Sequence, residues 1–151
     1  MDMKYENEIR RIRELAGKYA PEQLALLQEF ASFDSETHDL EGNRRAVDLA
    51  RKHLEPLGGS FEEVTYEGVG THLIARLVPE NPKGRILVNS HLDTVFPIGF
   101  AAQNPPRVEG DYLYGLGVLQ WRLCGQLLCA ADHAGAGPSA RCGDRHDLCL
   151  R

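Results

Sequence analysis

The sequence predicts an α/β fold, on two observations. Helical periodicity fills the first third of the chain and gives way to short runs rich in β-formers, and a largely apolar strand, Arg85 to Ser90, then leads directly into His91-Leu92-Asp93. Helices followed by strands, with a strand suited to burial on both faces, describe helices packed on a mixed sheet. Polar residues just past the end of such a strand lie where open α/β sheets form their ligand sites.

Ile9, Ile12, Leu15 and Tyr19 recur at helical spacing, and Pro21 is expected to open a second helix with Leu24, Leu27, Phe30 and Ala31 on one side. Phe33 to Asp39 is polar and reads as a loop. From Glu41 to Leu57 the helical pattern resumes through Val47, Ala50 and Leu54, and Gly58-Gly59 stops it as a left-handed cap would. Phe61, Val64 and Tyr66, then His72 to Val78, read as paired strands separated by Gly68 and Gly70. Pro79 to Gly84 is a turn before the apolar strand, Ile98 to Asn104 loops, and Arg107 to Tyr114 suggests a small hairpin.

Composition narrows the partners. With 151 residues, 42% hydrophobic and 26% charged, the chain fits one globular domain. A net charge of -5 with scattered Lys and Arg offers no basic stripe, so nucleic acid is not an expected partner. No apolar run approaches the roughly 20 residues that span a bilayer, and the first residues lack the basic and apolar regions of a secretory leader, so no membrane partner and a cytoplasmic location are expected.

The chain changes character at Val118. Residues 1–118 hold no cysteine, whereas Cys124, Cys129, Cys142 and Cys149 and the single Trp121 all follow. The expected organisation is therefore a first domain over 1–118, incomplete if the chain changes course there, and a divergent, poorly ordered tail over 119–151. In a chain without a secretory signal the four cysteines are expected to be reduced thiols.

The chemistry-bearing segment is His91-Leu92-Asp93-Thr94-Val95-Phe96-Pro97, followed by Gly99, Pro106 and Gly110-Asp111-Tyr112-Leu113-Tyr114-Gly115-Leu116-Gly117-Val118. Imidazole is a preferred zinc ligand, and a nearby carboxylate can fix its orientation and raise its basicity. A His-x-Asp triplet alone is a weak signal; the ordered series around it is specific. Over roughly residues 20 to 118 it resembles metallopeptidase family M twenty, the dinuclear-zinc exopeptidases and deacylases that include glutamate carboxypeptidase, aminoacylase, acetylornithine deacetylase and succinyl-diaminopimelate desuccinylase. Phe-Pro after Thr-Val looks most like the glutamate carboxypeptidase branch.

The resemblance implies an α/β catalytic domain with two zinc ions, His91 as a ligand of one and Asp93 as the residue that orients it. It also implies hydrolysis of an amide bond in a small peptide or N-acyl amino acid, with a zinc-bound water as nucleophile and a glutamate as its base. The departure follows at once. The family continues into an Ala-Asp step whose aspartate bridges the metals, then Lys and a Gly-Gly pair; here stand Leu119-Gln120-Trp121-Arg122-Leu123-Cys124-Gly125, with no carboxylate before Asp132. The later Glu-Glu pair and the remaining ligands have no counterpart either. Glu62-Glu63 cannot replace the pair, because it precedes His91 and lies in a strand-like run.

Codons for Gln120-Trp121-Arg122 read one base out of phase require Ser or Asn followed by Gly, and the next triplet can also encode Gly. A Gly-Gly pair thus reappears near its family position, which motivates the hypothesis of a small out-of-frame deletion near Val118. Intact-frame homology through Arg151 in the source gene would refute it.

One zinc ligand cannot hold a catalytic zinc, which needs about three protein ligands, so the chain is expected to be a truncated, inactive metallopeptidase. The alternative is a non-catalytic binding or interaction protein whose tail, with Cys124, Cys129, His133, Cys142, His146 and Cys149, clasps a structural zinc, although these spacings match no zinc finger or ribbon. Self-association through an exposed sheet edge is a further expectation. His38, His53 and His72 are assigned no role, and Gly115-Leu116-Gly117 lacks the third glycine and the βαβ setting of a dinucleotide fingerprint.

Overall fold

The computed structural model describes residues 3–78, 86–110, 112–116 and 146–150. Among them are three α-helices and six strands: α1 (Met3–Ala31), α2 (Leu40–Leu54), β1 (Ser60–Thr65), β2 (Thr71–Leu77), β3 (Ile86–Ser90), α3 (Phe100–Gln103), β4 (Arg107–Glu109), β5 (Tyr112–Tyr114) and β6 (His146–Leu150). The α/β class expected from the sequence is the one observed.

The two helices expected on either side of Pro21 are one, because α1 runs through the proline. An interior proline removes an amide donor and crowds the carbonyl four residues back, at a cost of about 3 kcal/mol. Here that carbonyl belongs to Gly17, and both Gly17 and Pro21 are exposed, so water can take the place of the missing donor. The break that the proline signalled is therefore not enforced.

Pro56 does act. α2 stops at Leu54, two residues short of Pro56, and the chain tightens into a 3-10 turn over Glu55–Leu57. Gly58 and Gly59 then leave with φ of 75° and 100°, conformations that a side chain would disfavour. At the other end, Asp39 caps α2 by accepting a 3.0 Å hydrogen bond from the Gly42 amide.

β1 and β2 form an antiparallel hairpin in the register Ser60↔Arg76 to Thr65↔Thr71, as the period change predicted. The four-stranded sheet has the order β1-β2-β6-β3, with β6 antiparallel to β2 and parallel to β3. β6 comes from the segment read as a divergent tail; the boundary at Val118 and residues 119–145 lie outside the described residues. β4 and β5 make the expected small hairpin, turning at Gly110.

The core lies on one face of the sheet. Leu26 and Phe30 of α1, Ala46, Val47, Ala50 and Leu54 of α2, Leu73 and Ala75 of β2, and Leu92 just past β3 are buried together. β3 was expected to be buried on both faces. Instead its alternate residues differ: Ser90 is buried and Val88 half-buried, whereas Leu87 is 67% exposed. The physical reason is that the described helices cover only one side of the sheet, and β3 has a described neighbour on one flank alone. No helix among the described residues is long and apolar enough to cross a membrane.

Candidate metal centre

β3 delivers His91 and Asp93 at its carboxyl end. Leu92 between them is 1% exposed and anchors the segment in the core, which directs the flanking side chains outward. His91 is 64% exposed and Asp93 28%, and Nδ1 of the imidazole lies 3.4 Å from Oδ1 of the carboxylate. The sequence-assigned pair is thus brought together, in a long contact.

What shapes this segment is the polar loop between α1 and α2. Phe33, buried under the Arg45 guanidinium 4.3 Å from its ring centroid, fixes the start of the loop. Ser35 Oγ donates to the Leu92 carbonyl (3.1 Å), the Thr94 amide donates to the Ser35 carbonyl (2.7 Å), and Glu36 forms a parallel bridge with Thr94. Thr37 Oγ1 donates to Asp93 Oδ2 at 2.8 Å. Farther along, Asp34 accepts hydrogen bonds from the amides of Gly99 (2.7 Å) and Ala101 (2.8 Å), holding the start of α3, where Phe96 stacks on Phe100.

The loop is itself held from α2. Asn43, 5% exposed, donates from Nδ2 to the carbonyls of Glu36 (2.7 Å), Thr37 (3.3 Å) and Asp39 (2.9 Å). Gly42 lets the loop approach this closely, since a Cβ there would lie 2.3 Å from the Asp34 carbonyl oxygen. Asp34, Ser35, Thr37 and Asn43 were not singled out as site residues by sequence reasoning. Their signal was the density of short polar side chains in Asp34-Ser35-Glu36-Thr37-His38-Asp39, which marks a loop that bonds to backbone elsewhere.

Among the described residues the other histidines and glutamates form no ligand group with His91. His38 is exposed, with Nδ1 3.3 Å from the Gly68 carbonyl, and His72 meets Tyr66 edge-on at 5.4 Å. His53 is half-buried. Glu62 and Glu63 are in β1 and occupied: Glu62 binds Arg76 (2.9 Å), and Glu63 binds Arg44 (2.6 Å) and Arg51 (2.8 Å). The Arg44 bond, opposed by burial and helped by Arg51, holds the Glu63 carboxyl down at about 2. Glu63 and Asp48 in turn raise the Arg44 guanidinium, and Glu55 and Glu63 raise that of Arg51.

Among the described residues no group of three or more His, Cys, Asp or Glu side chains could hold a metal ion. His91 and Asp93 therefore do not by themselves fit a zinc centre of the kind the resemblance implies. Asp111 and the tail residues Cys124, Cys129, His133 and Cys142 lie outside the described residues, as do the side chains of His146 and Cys149.

Over 100 residues the chain is 31% identical to carboxypeptidase G2 of Pseudomonas sp. strain RS-16, a match covering 65% of the chain and 24% of that enzyme. Human carnosine dipeptidase 1 superposes with a TM-score of 0.72 at 12% identity, over 91% of the chain and 33% of its own length. A Staphylococcus aureus tripeptidase gives 0.64 at 19%, over 85% and 35%. An aminopeptidase of Bacillus cereus gives 0.61 at 20%, over 85% and 36%. The structural likenesses establish a shared fold, and the chain spans about a quarter of the length of the curated relative it matches. No family model matches the chain.

Proposed function

We propose that the chain is the N-terminal part of a zinc-dependent metallopeptidase or amidohydrolase of the glutamate carboxypeptidase type, inactive as it stands. The observation that supports this reading most is the His91-x-Asp93 pair at the carboxyl end of β3, within a stretch 31% identical to carboxypeptidase G2. In the intact enzyme the substrate is a small peptide or N-acyl amino acid, His91 is a ligand of one of two zinc ions, and Asp93 orients it. The described residues do not by themselves carry a catalytic step, because a catalytic zinc takes about three protein ligands and no group of three or more such side chains occurs among them.

The purified chain, supplied with zinc and a C-terminal glutamyl peptide, is expected to release glutamate no faster than buffer. Glutamate release that disappears in the His91→Ala variant would overturn the proposed inactivity.

A further inference from the structure

The hydroxyl of Thr37 reaches across from the α1–α2 loop to the carboxylate that faces His91. We propose that Thr37 is a positioning residue, which fixes the rotamer of Asp93 and, through it, the tautomer and aim of the His91 imidazole. The inference rests on the reading of Asp93 as the group that orients His91.

Asp93 is partly exposed at 28%, and a carboxylate at a strand end with one side open to water has several rotamers available. Thr37 Oγ1 occupies Oδ2 at 2.8 Å, which leaves Oδ1 as the oxygen beside His91 Nδ1 at 3.4 Å. The donor is itself fixed: Asn43 Nδ2 holds the carbonyls of Glu36 and Thr37, and Glu36 is bridged to Thr94, one residue past Asp93. A carboxylate at Nδ1 selects the Nδ1–H tautomer and leaves the lone pair on Nε2, on the far side of the ring. Without that acceptor a neutral histidine ring favours the opposite tautomer. Thr37 thereby joins a loop from the helical layer to the imidazole at the sheet edge.

The test is ring-nitrogen NMR on the full chain labelled with 15N-histidine, held at about pH 8.5, two units above the ordinary imidazole pKa of about 6.5. The His91 signals are assigned by their loss in His91→Gln. In the unaltered chain His91 is expected to favour the Nδ1–H form. Asp93→Ala and Thr37→Val should each lower the ratio of Nδ1–H to Nε2–H, by about fivefold for the loss of one hydrogen bond. Thr37→Ser, which keeps the hydroxyl, should restore it. A merely structural methyl contact would give the reverse ordering of Val and Ser. If Asp93→Ala shifts the ratio and Thr37→Val leaves it unchanged, the positioning role is overturned while the pairing of Asp93 with His91 stands. If Asp93→Ala leaves it unchanged, the pairing fails and the inference with it. Thr37→Ala replaces Thr37→Val should the valine variant not fold.

Discussion

The His91 segment is held by residues that ligate nothing, and one of them carries a local cost. Thr94 is buried, and its hydroxyl has no hydrogen-bond partner among the described residues. An unsatisfied buried hydroxyl costs about 1–3 kcal/mol, and an isosteric methyl removes that cost. Thr94→Val is therefore expected to raise stability by about 1 kcal/mol in urea denaturation, and a loss of stability would show that the hydroxyl is satisfied in solution. Glu63 gives the residue-scale prediction for pH. Its carboxyl is lowered from the ordinary 4.5 to about 2 by Arg44 and Arg51, so its contribution is complete above pH 4.5 and is lost as pH falls through about 2. Because the Arg44 and Arg51 side chains are 42% and 38% exposed, solvent screens the pairs and the contribution is only about 1 kcal/mol, at the upper end for surface ion pairs. The stability gap between the unaltered chain and Glu63→Gln should be of that size at pH 7 and close towards pH 2; a gap that persists at pH 2 would contradict the ion-pair origin.

Elements differ in how far their own residues announce them. β3 and its motif were legible because an apolar run followed at once by His91-Leu92-Asp93 is a local pattern, and the alternation in β1 and β2 is equally local. The end of α2 was legible in Gly58-Gly59, though the 3-10 turn enforced by Pro56 was not separated from the helix. Pro21 misled, since its effect depends on exposure that no local pattern encodes. The clamp between the α1–α2 loop and the residues after β3 was illegible for a related reason: Ser35, Thr37 and Asp34 bond to partners 56 to 67 residues away in the chain. No periodicity reports contacts of that separation. The clamp depends on the close approach at Gly42, so Gly42→Ala is expected to destabilise the chain by about 1–3 kcal/mol and to weaken hydrogen-exchange protection of the Thr94 amide. Unchanged protection there would mean that the loop tolerates the added methyl.

At the scale of the whole molecule, the described residues form one layer of helices on one face of a sheet, with apolar residues left on other surfaces. Leu87 (67%), Val95 (88%) and Ile98 (69%) are all exposed on or just after β3, the strand with one described neighbour. A strand flank with no described partner, beside exposed apolar side chains, offers a template for association. We therefore expect binding of a dye specific for apolar surface, a broad melting transition and concentration-dependent association in sedimentation. Leu87→Lys, a charge placed on the edge, should reduce that association; a sharply melting monomer would remove the basis for it.

Whether this chain lacks the ligands to complete a zinc centre around His91 is decided by zinc affinity at His91 itself. Equilibrium titration of zinc into the full chain with Cys124, Cys129, Cys142 and Cys149 replaced by Ser isolates the strand-end site from the tail thiols. One imidazole beside one carboxylate should show no stoichiometric binding at micromolar zinc, with or without His91→Ala. A tightly held zinc ion released by His91→Ala would show that the remaining ligands are present in this chain after all.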